Sequence, residues 1–173
     1  GKYVKKDINK AIYYLQLAAD QNDLKSIFNL GLIYLKGESV KQDINKSIHY
    51  FQLAADQNYS IAQNRLGTIY LDGKYVKRDV SKAIHYFQHA AEQNNTDALN
   101  NLGHLYLAGE LVEKDINEAI FYYQLAAESN SIEAFFTLGL IYDQGKHISR
   151  DIKKAINYYS VAAKNNHFKA QFN

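Results

Sequence analysis

The segment Asp79-Val-Ser-Lys-Ala-Ile-His-Tyr-Phe-Gln-His-Ala-Ala-Glu-Gln-Asn94 is written five times, at steps of 36 residues. Its other copies are 7–22, 43–58, 115–130 and 151–166. A short unit of this kind cannot bury its apolar face alone. It does so by stacking on its neighbours, so a fixed period predicts an array. A helix repeated five times is also a poor place for a unique catalytic site. Composition adds exclusions. The chain has 173 residues, a net charge of +2 and no cysteine. Disulfides, thiolate chemistry and cysteine metal sites are excluded. The small net charge points to neither nucleic acid nor an acidic membrane surface. No apolar run has the length of a membrane span. The lack of cysteine leans towards a reducing, cytoplasmic setting, but the compartment stays open.

The units start at Gly1, Gly37, Gly73, Gly109 and Gly145 without insertion or deletion. Each begins with a loop whose glycine suits a left-handed residue just past a helix end. Three residues on, Val4, Val40, Val76, Val112 or Ile148 is expected to tuck under as a plug. Asp7, Asp43, Asp79, Asp115 and Asp151 fit the N-cap of the following helix, here called B. In the first unit Ile8, Ala11, Ile12, Leu15, Ala18 and Ala19 form one apolar stripe of helical period, flanked by Tyr14. Asn22, Asn58, Asn94, Asn130 and Asn166 fit its left-handed stop.

A second helix, A, follows after a short turn and must run back antiparallel. Its marks are Leu30-Gly31-x-x-Tyr34 and the copies at Leu66, Leu102 and Leu138. A glycine inside a helix costs about 1 kcal/mol against alanine. Four such glycines in one register predict close approach of a neighbouring helix, with Ser26, Ala62, Ala98 and Ala134 at the same contact. Residues 167–173 match the start of another helix A. Residues 1–173 therefore read as a single repeat domain, a fragment of a longer array with its last unit incomplete.

The combined pattern is A-x-x-x-L-G-x-x-Y, then a loop G-x-x-V-x-x-D, then K-A-I-x-Y-x-x-x-A-A. It resembles the Sel-one-like repeat (SLR) family, a relative of the tetratricopeptide repeat, over the whole chain. The resemblance implies an all-α fold: an α-solenoid, a right-handed superhelix of antiparallel helix pairs. It also implies a scaffold or adaptor role in protein complexes. The slot where the family loop often carries a second glycine holds Tyr3, Ser39, Tyr75, Leu111 and His147. The glycine after helix B is replaced by the asparagine series.

Repeated positions carry the fold, so specificity is expected at variable positions that face outward. By analogy with tetratricopeptide arrays, the A helices line the concave face. Helical geometry then points Phe28, Asn29, Asn64, Arg65, Thr68, Asn100, Asn101, His104, Phe136 and Thr137 into a groove for a peptide or partner domain. Asn64 and Asn100 hold the same position in neighbouring units, and each offers a donor and an acceptor to an extended backbone. Phe28 and Phe136 suit apolar anchors. The alternative is a structural array that mainly self-associates end to end through apolar stripes such as Ile8, Ile12 and Leu15.

Other classes find less support. Tyr14, Tyr34 and their copies are in core register, and without a basic groove they make no nucleic-acid platform. His85 and His89 have the i, i+4 spacing of a zinc pair, with His49 in the column of His85. No accompanying glutamate completes that motif, and His89 stands where Leu17, Leu53, Leu125 and Val161 stand in other units. No nucleophile elbow, phosphate loop or unique carboxylate pair is present. The expectation is a non-enzymatic chain without cofactor or metal.

Overall fold

The computed structural model describes residues 8–38 and 40–165. Among these the structure is entirely helical. The expected Asp7 cap, the Gly1 and Val4 loop, Tyr3, Ser39, Asn166 and the helix start at 167–173 lie outside the described residues. No described helix is long and apolar enough to cross a membrane.

The helices group into two compact units. The first, Gly1–Asp79, holds α1 (Ile8–Ala19), α2 (Leu24–Lys36), α3 (Ile44–Asp56) and α4 (Ser60–Asp72). The second, Val80–Asn173, holds α5 (Val80–Ala91), α6 (Thr96–Ala108), α7 (Ile116–Glu128), α8 (Ile132–Gln144) and α9 (Ile152–Lys164). Odd-numbered helices are the B helices and even-numbered ones the A helices. Within each unit every helix packs on the next in sequence.

The helix ends follow the local chemistry. Asp43 and Asp151 accept from the amides of Lys46 and Lys154, each at 3.0 Å. Asp115 accepts from Asn117 and Glu118. Three of the A helices are capped too, while α4 starts after Tyr59 without a side-chain cap. Asp23, Asn95 and Ser131 accept from Ser26, Ala98 and Ala134. Hydrogen bonds from the Ser26 side chain and amide hold the Asp23 carboxyl below its ordinary range. The B helices stop at Asn22, Asn58, Asn94 and Asn130, all at φ between 56 and 63°. The next residue donates back to Ala18, Ala54, Ala90 or Ala126. That is the six-to-one closure of a Schellman turn, with asparagine in the left-handed slot. The A helices stop at Gly37, Gly73, Gly109 and Gly145, also left-handed. Each loop then closes through the aspartate amide: Asp43 donates to Tyr34, Asp115 to Tyr106 and Asp151 to Tyr142. Val40, Val76, Val112 and Ile148 beneath these loops are half-buried.

Three of the mid-helix glycines receive aromatic rings. A Cβ built on Gly31 would stand 2.6 Å from Phe51 Cε1. On Gly139 it would stand 2.5 Å from Tyr159 Cδ1, and on Gly103 3.0 Å from the Tyr123 ring. The ring comes from the following B helix, so the glycine opens one repeat to the next. Beside it, Tyr34 stacks on Tyr50, Tyr106 on Tyr122 and Tyr142 on Tyr158, with interplanar angles of 9, 7 and 14°. The Tyr50 hydroxyl donates to Gln16 at 2.9 Å, tying α3 to α1.

One core position breaks the pattern. Ser47 is fully buried where Ala11, Ala83, Ala119 and Ala155 stand in the other described repeats, and its hydroxyl has no hydrogen-bond partner. An unpaired buried polar group costs about 1–3 kcal/mol. Ser47→Ala is expected to raise the unfolding free energy by about 1 kcal/mol, also through better helix propensity. Urea unfolding measures it, and a loss of stability would show that the hydroxyl is satisfied.

Candidate functional site

The anticipated groove residues lie on the four A helices and divide between the units. Phe28, Asn29, Asn64, Arg65 and Thr68 are in the first. Asn100, Asn101, His104, Phe136 and Thr137 are in the second. Asn29 and His104 are exposed, while Arg65, Thr68, Asn101 and Thr137 are half-buried. The Thr68 hydroxyl donates to the Asn64 carbonyl at 3.1 Å, a bond within its own helix.

The position shared by Phe28, Asn64, Asn100 and Phe136 is half-buried throughout and takes part in packing. Phe28 lies 5.3 Å from the Phe51 ring and 5.8 Å from the Tyr59 ring, centre to centre. Phe136 lies 5.8 Å from the Tyr159 ring. The Asn100 amide donates to Ser131 Oγ at 2.9 Å, and that hydroxyl also stands 3.3 Å from Asn100 Oδ1. Ser131 caps α8, so Asn100 helps to hold the next repeat. An alanine at this position therefore disturbs folding as well as any contact made there.

The A-helix face borders two clefts in equivalent register. In the first unit a cleft of about 340 Å³ lies between α1 and α2. Ile8, Ala11, Leu15, Leu32 and Ile33 form its apolar part, with Asn29, Lys36 and Glu38 beside them. In the second unit a cleft of about 280 Å³ lies between α7, α8 and the loop that follows α8. Ile116, Leu140, Ile141 and Ile148 floor it together with Leu107. Thr137, Gln144, Lys114, Lys146 and His147 complete its lining. Ile8 and Ile116, Asn29 and Thr137, Leu32 and Leu140, Ile33 and Ile141, Lys36 and Gln144, and Glu38 and Lys146 are pairs separated by whole periods. The floor thus repeats while the rim changes.

Sequence reasoning considered the A helices alone, whereas these clefts also draw on helix B starts and loops. A signal was present. The second loop position reads Lys2, Glu38, Lys74, Glu110, Lys146, alternating in sign between otherwise matched units.

His85 and His89 meet edge to face at 4.4 Å, and His89 Nδ1 stands 3.3 Å from Glu92 Oε2. Among the described residues no group of three histidine or carboxylate side chains is placed to hold an ion. The column of His89 is mixed: Leu17 and Leu53 are exposed there, whereas Leu125 packs against the core of the second unit and Val161 is half-buried. His89 itself is exposed.

Comparison with known proteins agrees with this architecture. The Sel1 repeat model matches residues 1–23, 24–59, 60–95, 96–131 and 134–167. Its complete units run from an A helix to the next turn, a change of phase with the same period. A Sel1 repeat protein from Oxalobacter formigenes superposes with a TM-score of 0.86 at 39% identity, over 96% of this chain and 68% of that one. The SLR-fold protein c5321, a protective antigen of uropathogenic Escherichia coli, also superposes at 0.86. It is 29% identical over 92% of this chain, which spans 34% of its length. Helicobacter pylori cysteine rich protein B gives 0.58 at 26% identity, over 78% of this chain and 97% of that one. No curated protein sequence matches. Sel1 repeat proteins are in general protein-interaction scaffolds. Five matched repeats and the SLR architecture place this chain in the Sel1 repeat family, as an all-α solenoid of helical repeats.

Proposed function

We propose that the chain is a scaffold that takes a peptide or a partner domain along the outward face of its A helices. One observation carries this reading. Residues in core register are consumed by inter-repeat packing, whereas the position shared by Asn29, Arg65, Asn101 and Thr137 varies in chemistry and is exposed at Asn29 and half-buried at the other three. Two apolar clefts open beside that face. Variable polar side chains next to small apolar clefts are what selective recognition of a chain segment needs.

The cleanest test uses the exposed residues and leaves Asn100 and Asn101 untouched. Asn29→Ala and His104→Ala in one variant are expected to weaken partner capture by tenfold or more, with the thermal midpoint nearly unchanged. Unchanged capture defeats the reading, and so does a loss of capture that merely follows a loss of folding.

A second reading, self-association, has its own support. Tyr14 is 65% exposed on α1, whereas Tyr50, Tyr122 and Tyr158 in the same slot are half-buried. Ile156 is 58% exposed on α9, whereas Ile48, Ile84 and Ile120 are half-buried. A second copy, or a neighbouring repeat of the same array, would cover these surfaces. Light scattering over a concentration range decides, because a strict monomer removes this reading.

A further inference from the structure

The cleft between α7, α8 and the loop after α8 differs from its counterpart in the first unit by its charge. Its floor is aliphatic, from Ile116, Leu140, Ile141 and Ile148. Two ammonium groups, Lys114 and Lys146, and the His147 imidazole stand at its rim, and no acidic residue lines it. The counterpart carries Lys36 together with Glu38.

The rim cations lack a carboxylate of their own. Lys114 Nζ lies 2.9 Å from His147 Nε2. An ammonium group only donates, so the imidazole nitrogen accepts, and lysine is spending a charge-assisted donor on a neutral acceptor. Two nearby carboxylates are engaged elsewhere. Asp115 caps α7, and Asp143 holds Arg150 at 2.9 Å. A carboxylate arriving at the rim exchanges that contact for a stronger, ionic one.

From this geometry we propose that the cleft seats an aliphatic side chain of an acidic peptide segment, with glutamate or aspartate side chains flanking the anchor and meeting Lys114, Lys146 and His147. The inference deepens the scaffold reading and rests on it. Size and charge both select. About 280 Å³ accepts a leucine-sized anchor but no large ligand. Two ammonium groups and an imidazole offer more donors than one carboxylate saturates, which favours several acidic side chains over a single chain terminus. The repeated floor supplies the affinity for an apolar anchor, and the variable rim supplies the choice of sequence.

The test is fluorescence anisotropy with a labelled peptide, capped at both ends, in which one leucine is flanked by glutamates in a glycine-serine context. Saturable binding that weakens with salt is expected. Replacing the leucine by serine, or the glutamates by glutamine, should each reduce affinity at least tenfold. The double variant K114Q/K146Q should do the same with an unchanged melting curve, because both side chains are exposed. Leu140→Gln at the half-buried floor should act on the leucine peptide and leave the already weak serine peptide unchanged.

Equal binding of the glutamine peptide, or full binding by K114Q/K146Q, overturns the proposal. So does tighter binding of a glutamine peptide whose only carboxylate is a free terminus, or the absence of saturable binding. Selection of displayed random peptides on the wild-type chain separates this failure from that of the scaffold reading. Enriched peptides without acidic residues, dependent on Asn29 and His104, overturn the acidic-peptide proposal and keep the scaffold. If no sequence is retained at all, both fall.

Discussion

Phe51→Ala is expected to lower the unfolding free energy of the first compact unit by about 3–5 kcal/mol. The ring is completely buried and reaches from α3 onto Gly31 of α2, with the Phe28 ring tilted against it. Its removal leaves a cavity between two repeats, where stability is a sum of local interface terms. The glycine side of the contact gives a sharper prediction. Alanine is the better helix former by about 1 kcal/mol. Gly31→Ala should nevertheless destabilise by about 1–3 kcal/mol, because the added methyl would stand 2.6 and 2.7 Å from ring atoms that have nowhere to go. Phe51→Leu shortens the side chain at that point, so in its background Gly31→Ala should turn neutral or stabilising. Gly103→Ala should cost less than Gly31→Ala, since its nearest ring atoms are at 3.0 Å. Hydrogen exchange of α2 and α3 amides, with urea unfolding, measures all of these. A stabilising Gly31→Ala in the wild-type background would refute the close-contact explanation of the glycine series.

The second large effect is expected in alkali. Tyr123 is 3% exposed, and burial pushes its hydroxyl well above the ordinary phenol range, with the Glu133 charge adding to the shift. Burial raises Tyr50, Tyr122 and Tyr159 in the same direction. The folded state therefore keeps protons that the unfolded state releases near pH 10. The stabilising contribution is complete below pH 10 and is lost as pH rises beyond it towards the folded value. For Tyr123 the loss is about 1.4 kcal/mol for each pH unit above 10 until its own ionisation begins. Lysines titrate in the same window, so the difference between wild type and Tyr123→Phe isolates the phenol. Phenylalanine already fills this slot as Phe51 and Phe87, which makes the variant structurally conservative. Tyr123→Phe should unfold at lower urea than wild type at neither pH 8 nor pH 9, and should lose less stability between pH 9 and pH 11. An identical pH slope in the two proteins would mean that the Tyr123 phenol ionises in place.

How much of this was legible beforehand depends on the range of the interaction. Caps and stops act within four or five residues, and one repeat contains all of them. Asp43, Asp115 and Asp151 therefore cap, and Asn58, Asn94 and Asn130 turn left-handed, as their chemistry requires. Close approach at the glycines was legible because a costly residue held one register four times. The identity of the intruding ring was not, since Phe51, Tyr123 and Tyr159 stand some twenty residues later, on the following helix.

The outward positions were only half legible. Helical geometry distinguishes faces but does not weigh how far the next repeat overlaps a face. Asn100 looked free on its own helix and is bound to Ser131 of the next A helix. The clefts were invisible to a helix-by-helix reading, because Ile116 and His147 meet Leu140 only through the return of the chain.

The sequence by itself determined the period, the pairing of helices, their ends and the family, since each is set by short-range chemistry copied from unit to unit. Only the tertiary structure decided which outward residues are spent on packing, and which of them line an apolar cleft with a basic rim. Those outcomes depend on side chains contributed by different helices and loops, and no single repeat contains them.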